Sequence, residues 1–248
     1  MQKRIIIILM IICIGTIVVA GCTTTRSTNA TSHGPPGLDR TPPLNTTHWT
    51  EITAHAGWSP RFFQSSVAMP DGSIVLTGGS SDTVPSYNDV WRSTDNGATW
   101  TEMTADAGWS GRNGLSVVAT PDNSIVLMGG NDFNGDKSDI WRSTDDGATW
   151  TEMNPHAGWP PRLYQSSVAM QDGSIILVGG EDTGGRHPDN VLRSTDYGAT
   201  WVEITAHAGW SGREGQSIVA MPDNSLVLMG GYANSYLNDV WRSVPTSS

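Results

Sequence analysis

The chain has 248 residues, a formal net charge of −10 at pH 7, and 14 lysine and arginine residues against 24 aspartate and glutamate residues. Such an acidic surface repels nucleic acid and anionic lipid headgroups, so neither is predicted as a partner. Loss of Lys3 and Arg4 with a cleaved leader would make the chain more acidic still and leave Lys137 as its only lysine.

Residues 1–22 have the layout of a secretory leader. Lys3 and Arg4 precede a nearly unbroken apolar run over residues 5–20, which is shorter than the ~20 apolar residues that a membrane-spanning helix needs. The run ends in VAGC at Cys22, which resembles the lipobox of prokaryotic lipoproteins. The resemblance implies cleavage before Cys22, lipid on its thiol, and an exported protein anchored at the outer face of the cell membrane. An ordinary signal peptide and an uncleaved anchor are the alternatives.

The segment after the leader is predicted to be a tether. Residues 23–46 are rich in threonine, serine, proline and asparagine and show no apolar periodicity. Asn29 and Asn45 each begin an N-glycosylation pattern, a short motif that often occurs by chance. Because Cys13 would leave with the leader, the remaining domain, residues 47–248, has no disulfide and no thiolate for catalysis or metal binding.

Residues 47–248 contain four repeats of about 50 residues. A GW-x-x-R motif recurs, and a double glycine follows each copy; its arginines are Arg61, Arg112, Arg162 and Arg213. Each repeat predicts four short strands, with Asp-Gly or Asp-Asn pairs that tolerate the positive φ of a tight hairpin. No sustained helical period is present, so the pattern predicts an all-β domain.

Two motifs within the repeat resemble known repeat families. The pattern S-x-D-x-G-x-T-W at residues 93–100, 143–150 and 194–201 resembles the Asp-box, or BNR, repeat. That resemblance implies a structural role for the aspartates Asp95, Asp145 and Asp196. The wider unit, with its arginine, double glycine and N-D-V-W element, resembles the kelch repeat, although the third unit departs from it with DNVL at residues 189–192. Both resemblances imply a β-propeller, whose repeat period for kelch blades is about 50 residues.

The order of strands along the chain predicts a ring of four four-stranded blades. Residues 49–53, beginning with Trp49, match a fourth strand with no blade before it, whereas the last repeat ends after its third strand. Pairing of residues 49–53 with the strand around residues 239–243 would complete the last blade and close the ring as a monomer. Repeats 1 and 3 share sequence features, as do repeats 2 and 4, which indicates the duplication of a two-blade piece. A partial ring that assembles with another chain is the alternative.

The repeated arginines are the predicted ligand-binding residues. Arg61, Arg112, Arg162 and Arg213 each precede an innermost strand, where four guanidinium groups around the mouth of the channel could hold a carboxylate, sulfate or phosphate. Alternatively, they tie blades together through backbone carbonyls and carboxylates. The residues beside the arginines break the four-fold pattern and would provide selectivity. They are Phe63, Asn113, Tyr164 and Glu214.

No metal site and no cofactor are predicted. Residues 131–139 offer acidic side chains at spacings similar to a calcium loop, but Lys137 stands where an EF-hand needs glycine. His55, His156 and His207 recur at one repeat position, yet equivalent positions on different blades are too far apart to share a metal.

These features favour a binding or interaction module for a protein or glycan at the cell surface. A sialidase-like glycoside hydrolase using Tyr164 and Glu214 is one alternative, since sialidases also carry Asp-boxes on a propeller. A structural envelope protein without a discrete ligand is the other.

Overall fold

The structure, a computed structural model, describes residues 49–244. By its internal contacts the chain divides into two units, Met1–Trp49 and Thr50–Ser248, and the propeller fold belongs to the second. The predicted leader, Cys22, the tether, Asn29 and Asn45 lie outside the described residues. Within the described part of the chain, no helix has the length and apolar character needed to cross a membrane.

Four antiparallel sheets follow one another along the chain, and we call them blades 1 to 4. Blade 1 consists of β1 (Ser65–Ala68), β2 (Ile74–Thr77), β3 (Val90–Ser93) and β4 (Thr101–Thr104). The second repeat forms β5 (Ser116–Ala119), β6 (Ile125–Met128), β7 (Asn131–Asp132), β8 (Gly135–Asp136), β9 (Ile140–Ser143) and β10 (Thr151–Asn154). The third forms β11 (Arg162–Leu163), β12 (Ser166–Ala169), β13 (Ile175–Val178), β14 (Glu181–Asp182), β15 (Val191–Ser194) and β16 (Val202–Thr205). The fourth forms β17 (Ser217–Ala220), β18 (Leu226–Tyr232) and β19 (Tyr236–Arg242).

Each blade is a meander of strands that are neighbours in sequence. Blade 2 has the order β5-β6-β9-β10 and blade 3 the order β12-β13-β15-β16, while β7 pairs with β8 and β11 with β14 in small ladders outside the blades. The innermost strands β1, β5, β12 and β17 lie side by side in that order. The prediction of an all-β propeller with four blades is therefore confirmed.

The hydrophobic core lies between the blades. One cluster joins Val75 and Val90 of blade 1 to Ile125 and Leu127 of blade 2. Two further clusters join blade 2 to blade 3 and blade 3 to blade 4. Burial of apolar surface between successive sheets is thus the main source of stability of this disulfide-free domain.

Backbone hydrogen bonds link the blades around the axis. Phe63, Gly114, Tyr164 and Gly215 occupy equivalent positions and all have φ between 55° and 62°. The amide of Gly114 donates to the carbonyl of Phe63 (3.2 Å), that of Tyr164 to Gly114 (2.9 Å), and that of Gly215 to Tyr164 (3.0 Å). This left-handed conformation turns each carbonyl toward the amide of the next blade.

The double glycines are explained by the same contact between blades. Gly78 and Gly79 have φ of 69° and 93°, and the amide of Gly79 donates to the carbonyl of Arg112 in the next blade (2.9 Å). A Cβ atom on Gly78 would lie 2.9 Å from that same carbonyl oxygen. Glycine is therefore needed both for the positive φ and for the close approach of the two backbones.

The S-x-D-x-G-x-T-W segments form turns that their own aspartates hold together. The Thr99 amide (2.9 Å) and the Ser93 hydroxyl (2.9 Å) donate to Asp95 Oδ1, and the Thr99 hydroxyl donates to Asp95 Oδ2 (2.6 Å). Asp145 and Asp196 accept the same set of bonds. All three carboxylates therefore have their partners within the turn.

The turns of blades 2 and 3 also pack against the preceding blade. A Cβ atom on Gly147 would lie 2.6 Å from Val90 Cγ1, so the blade 2 turn sits directly on β3. The tryptophan that ends the turn meets the tryptophan of the GW-x-x-R motif edge to face. The pairs are Trp58–Trp100 (6.1 Å between ring centroids), Trp109–Trp150 (6.1 Å) and Trp159–Trp201 (6.2 Å).

Blade 4 has three strands, and at this point the structure differs from the predicted closure. Residues 49–53 form no strand, and Ile52 is 61% exposed. Every pairing between strands in the described part joins strands of one repeat, whereas the predicted pairing would join the two ends of the domain. Such a pairing must close a much longer loop than the local ones, and the entropic cost of closure rises with loop length. In blades 2 and 3 the S-x-D-x-G-x-T-W turn packs on the preceding blade. At the equivalent position of blade 4 there is a groove of about 980 Å³, lined by Val191, Trp210 and Leu228 among others.

Candidate functional site at the propeller mouth

The four repeated arginines do not line the mouth; their guanidinium groups are buried within the blades. The side chain of Arg61 is 0% exposed, and Arg112, Arg162 and Arg213 are at most 1% exposed. In blades 1, 2 and 4 the guanidinium binds both oxygens of an aspartate at the third strand. The pairs are Arg61–Asp89 (2.6 Å), Arg112–Asp139 (2.5 Å) and Arg213–Asp239 (2.5 Å). The prediction that these arginines hold an anionic ligand is therefore wrong, and the alternative of pairing with carboxylates and carbonyls describes them.

A tryptophan completes each of these arginine–aspartate pairs. In blade 1 the indole of Trp91 donates to Asp89 Oδ2 (2.7 Å), and Arg61 Nη1 also donates to the carbonyl of Gly78 (3.1 Å). Burial of Asp89 opposes its ionisation, but the hydrogen bonds from Arg61 and Trp91 outweigh burial and lower the pKa of the carboxyl. The unit is structural: it fastens the loop before β1 to the start of β3.

Blade 3 lacks both partners of its arginine. Asn190 stands at the aspartate position and Leu192 at the tryptophan position, and Arg162 Nη1 lies 3.4 Å from Asn190 Oδ1. Arg162 Nη2 is buried and makes no hydrogen bond. Burial lowers the pKa of Arg162 to about 10, against the opposing charges of Asp182 and Glu203.

The mouth itself carries aromatic side chains. Phe62 and Phe63 are 48% and 42% exposed, and their rings meet with centroids 4.9 Å apart. Phe63 also contacts the ring of Tyr164, which comes from blade 3 on the opposite side of the axis (5.1 Å). The glycines at the equivalent positions of blades 2 and 4 leave room for these rings. Of the predicted selectivity residues, Phe63 and Tyr164 are thus brought together.

Beside the aromatic rings, two carboxyl groups face each other between blades 3 and 4. Glu214, which forms a β-bridge with Tyr232, lies next to Glu181 of β14. Burial, reinforced by the charge of Glu181, raises the pKa of Glu214 to about 7. Burial also raises the pKa of Tyr164 to about 12, and the charges of Glu214 and Glu181 add to this effect. These shifts mark a site that disfavours further negative charge.

A histidine and two further tyrosines border the carboxyl groups. His187 Nε2 lies 4.0 Å from Glu214 Oε1, and the His187 ring meets the edge of Tyr232 at 6.3 Å. Tyr232 in turn contacts Tyr236, which is 90% exposed. The mouth is therefore an aromatic and acidic surface.

Asn113, the remaining predicted selectivity residue, lies at the position equivalent to Glu214. Its backbone forms a β-bridge with Asn131. The acidic side chains of residues 131–139 also have protein partners: Asp132 binds Lys137 Nζ (2.8 Å), and Asp136 accepts a hydrogen bond from Asn131 (2.7 Å). The recurrent histidines His55, His156 and His207 are exposed and lie on separate blades.

Glu181 and His187 were not predicted from the sequence. Both lie in the segment EDTGGRH after a double glycine, which differs between repeats and by itself predicts no specific residue. The available signal was a comparison of that segment between repeats, because only the third contributes both a glutamate and a histidine.

The chain was also compared with known proteins. The family model described as the DUF6242 β-propeller domain matches the chain twice, over residues 16–152 and 113–247. The two matches are displaced by nearly the length of two repeats, as the two-blade duplication in the sequence leads one to expect. No curated protein matches the chain.

Proposed function

We propose that this chain, which belongs to the DUF6242 β-propeller domain family, is an exported, lipid-anchored module that binds a glycan at the propeller mouth. The observation that carries the proposal is the cluster of Phe62, Phe63 and Tyr164 beside the carboxyl groups of Glu181 and Glu214. Aromatic faces give apolar contact to one side of a sugar ring, and carboxylates accept hydrogen bonds from its hydroxyl groups. The resemblance of the repeats to kelch and Asp-box units supports the same type of module.

The charge of the mouth selects among glycans. Because the repeated arginines are buried inside the blades, no guanidinium of that set faces a ligand. Glu181 and Glu214 would repel sialic acid, uronic acids and sulfated sugars. The ligand class that fits is a neutral or amino sugar, which an acidic aromatic surface accepts. Burial of the four arginines also weighs against a sialidase-like activity, which needs an arginine cluster beside its tyrosine.

Binding is tested with the mature chain against a panel of neutral, amino and acidic oligosaccharides. We expect Phe63→Ala and Tyr164→Ala to weaken binding of a neutral or amino sugar at least tenfold, as loss of a stacking contact predicts. Phe133→Ala is the matched control, because Phe133 is 94% exposed on the blade 2 loop and should not affect binding. Binding only to acidic sugars, or equal losses in all three variants, would refute the proposal. If the mouth captures a protein and no glycan, its ligand is a protein and the glycan proposal is wrong.

A structural envelope role is the second candidate, and the internal pairing of the arginines favours it. A protein of this kind would bind no member of the panel and would still require its anchor. Anchoring is tested by mass spectrometry of the protein isolated from membranes, which should show lipid on Cys22 at the mature N-terminus. A membrane-bound protein without lipid on Cys22 would contradict lipidation at this residue.

A further inference from the structure

Three side chains with metal-binding atoms converge between blades 3 and 4. They are Glu181 of β14, His187 in the segment between β14 and β15, and Glu214 of blade 4. One ligand atom from each lies within 4.8 Å of the other two, and all three residues are partly buried. Among the described residues, these three are the histidine and acidic side chains that lie close enough together to hold one ion.

The trio occurs at one junction of a repeated scaffold. β-Bridges pair Phe62 with Ser80, Asn113 with Asn131, Leu163 with Glu181, and Glu214 with Tyr232, and they define the equivalent positions. The other junctions therefore carry different trios: Ser80, Ser86 and Asn113 between blades 1 and 2, and Asn131, Asp136 and Leu163 between blades 2 and 3. Since the backbone is the same at all three junctions, the trio is not required by the fold.

Among the described residues, the carboxyl groups of the trio contact no arginine or lysine; the neighbours of Glu214 are Glu181 and His187. Glu214 Oε2 is buried and accepts no hydrogen bond. The nearest arginines in sequence are engaged elsewhere, because Arg186 binds Asp182 (2.9 Å) and Arg213 binds Asp239. An unsatisfied buried carboxylate beside a second one is costly unless a cation or a proton compensates.

We propose that Glu181, His187 and Glu214 bind one divalent metal ion of the zinc class. Two ligand atoms each ~2.1 Å from a zinc ion are ~3.4–4.2 Å apart, depending on the angle between them. The 4.0 Å between His187 Nε2 and Glu214 Oε1 falls in this range. A single imidazole with two carboxylates is a donor set that zinc and manganese accept, and it leaves coordination positions for water or for a ligand hydroxyl.

The metal would have two effects on the propeller. It would join Glu181 and His187 of blade 3 to Glu214 of blade 4, and so cross-link the two blades that flank the large groove. It would also add a Lewis-acidic centre beside Tyr164, so the selection against acidic sugars argued above applies to the metal-free mouth. The inference goes beyond the proposed glycan binding, because metal binding is measured without any sugar and holds or fails by itself.

The test uses the mature chain, without an affinity tag and stripped with chelator, titrated with zinc chloride and separately with manganese chloride by isothermal calorimetry at pH 7.5. We expect one ion per chain and a rise in melting temperature with zinc, since an ion that binds only the folded state stabilises it. Glu214→Gln and His187→Ala should each weaken binding at least about tenfold. Glu214→Gln keeps the shape of the side chain and guards against loss of folding.

His207→Ala is the matched control. His207 lies 3.1 Å from Asp189 but is 84% exposed and has no second carboxylate in the trio arrangement. Its removal should leave the affinity and stoichiometry unchanged. Absence of saturable binding of either ion, or equal losses in His187→Ala and His207→Ala, would overturn the proposal. Tight zinc binding that is lost only in His187→Ala and Glu214→Gln would establish it, whatever the outcome of the glycan panel.

Discussion

Asn190 stands opposite Arg162 where the other three blades place an aspartate, and its amide oxygen lies 3.4 Å from Arg162 Nη1. The substitution leaves a fully buried guanidinium with its Nη2 group unpaired. The tryptophan that shares the aspartate in the other blades is replaced in the same blade, by Leu192. Loss of the two partners together indicates that arginine, aspartate and tryptophan act as one structural unit.

Asn190→Asp is expected to stabilise the protein. A carboxylate at this position would form charge-assisted hydrogen bonds to Arg162, each worth about 1.5–3 kcal/mol. Loss of the hydrogen bond that Asn190 donates to Glu203 (2.8 Å), and repulsion from that carboxylate, would offset part of the gain. The measurement is the urea midpoint of unfolding. The reciprocal change, Asp89→Asn, replaces the carboxylate partner of Arg61 by an amide and should destabilise by roughly 3–5 kcal/mol, as removal of one partner of a buried pair does. If Asn190→Asp and Asp89→Asn unfold at the same urea midpoint, the arginine–aspartate pair does not stabilise the blades.

Protonation of Asp95 should reduce the stability of the folded protein in acid. Hydrogen bonds from the Thr99 hydroxyl and amide and from Ser93 lower the pKa of Asp95 to about 2, below the value of about 3.9 in an unfolded chain. In this window the unfolded state therefore binds more protons, so the contribution is present above about pH 4 and lost as the pH falls through about 2. Asp95→Asn should flatten this part of the curve of unfolding free energy against pH. Parallel curves for the two proteins would exclude the effect.

The two tryptophans Trp159 and Trp210 occupy equivalent positions but differ in their surroundings. Trp159 meets Trp201 edge to face, whereas the groove borders Trp210, which has no aromatic partner among the described residues. Trp159→Ala should cost about 3–5 kcal/mol, and Trp210→Ala about 0.5–1.5 kcal/mol less, the contribution of an aromatic pair. Chemical denaturation of both variants measures the difference. An equal or larger loss in Trp210→Ala would show that the edge-to-face contact with Trp201 adds no stability to Trp159.

Filling the groove should raise the melting temperature. In blades 2 and 3 the space is taken by the turn and tryptophan of the same repeat, which blade 4 lacks. Replacing residues 244–248 by a copy of residues 94–103 supplies this segment directly after Ser243. The same graft with alanine in place of its tryptophan is the control, and it should give a smaller increase or none. No gain from either graft would mean that the groove does not accept the segment.

The repeat pattern predicted the blades well because its signals are local. The Asp-Gly and Asp-Asn turns, the apolar second strands and the double glycines each depend on residues within one repeat. The arginine prediction failed because the sequence does not give the orientation of a side chain. It places Arg61 before β1, but it does not say whether the side chain points into the channel or into the blade. Asp89, its partner, was visible in the N-D-V-W motif, yet the pairing spans two strands and becomes evident only in the fold.

The mouth was only partly predictable for a related reason. Glu214 was singled out because it breaks the pattern beside a repeated arginine. Glu181 and His187 lie in a segment whose length and composition differ between repeats, and the equivalent positions of the other repeats carry neither a glutamate nor a histidine. Their proximity to Glu214 depends on the contact between two blades, and a single sequence does not contain that distance.

The bulk of the side chains at the axis restricts how such a domain can grow. Phe63 and Tyr164 alternate with Gly114 and Gly215 at four equivalent positions, and a Cβ atom on Gly114 would lie 3.0 Å from the Tyr164 ring. Duplicating one blade would therefore place two large side chains, or two glycines, next to each other. A pair of blades is the smallest module that can be copied, exchanged or recombined while this packing is kept, and chimaeric propellers built from this family should be cut at every second blade.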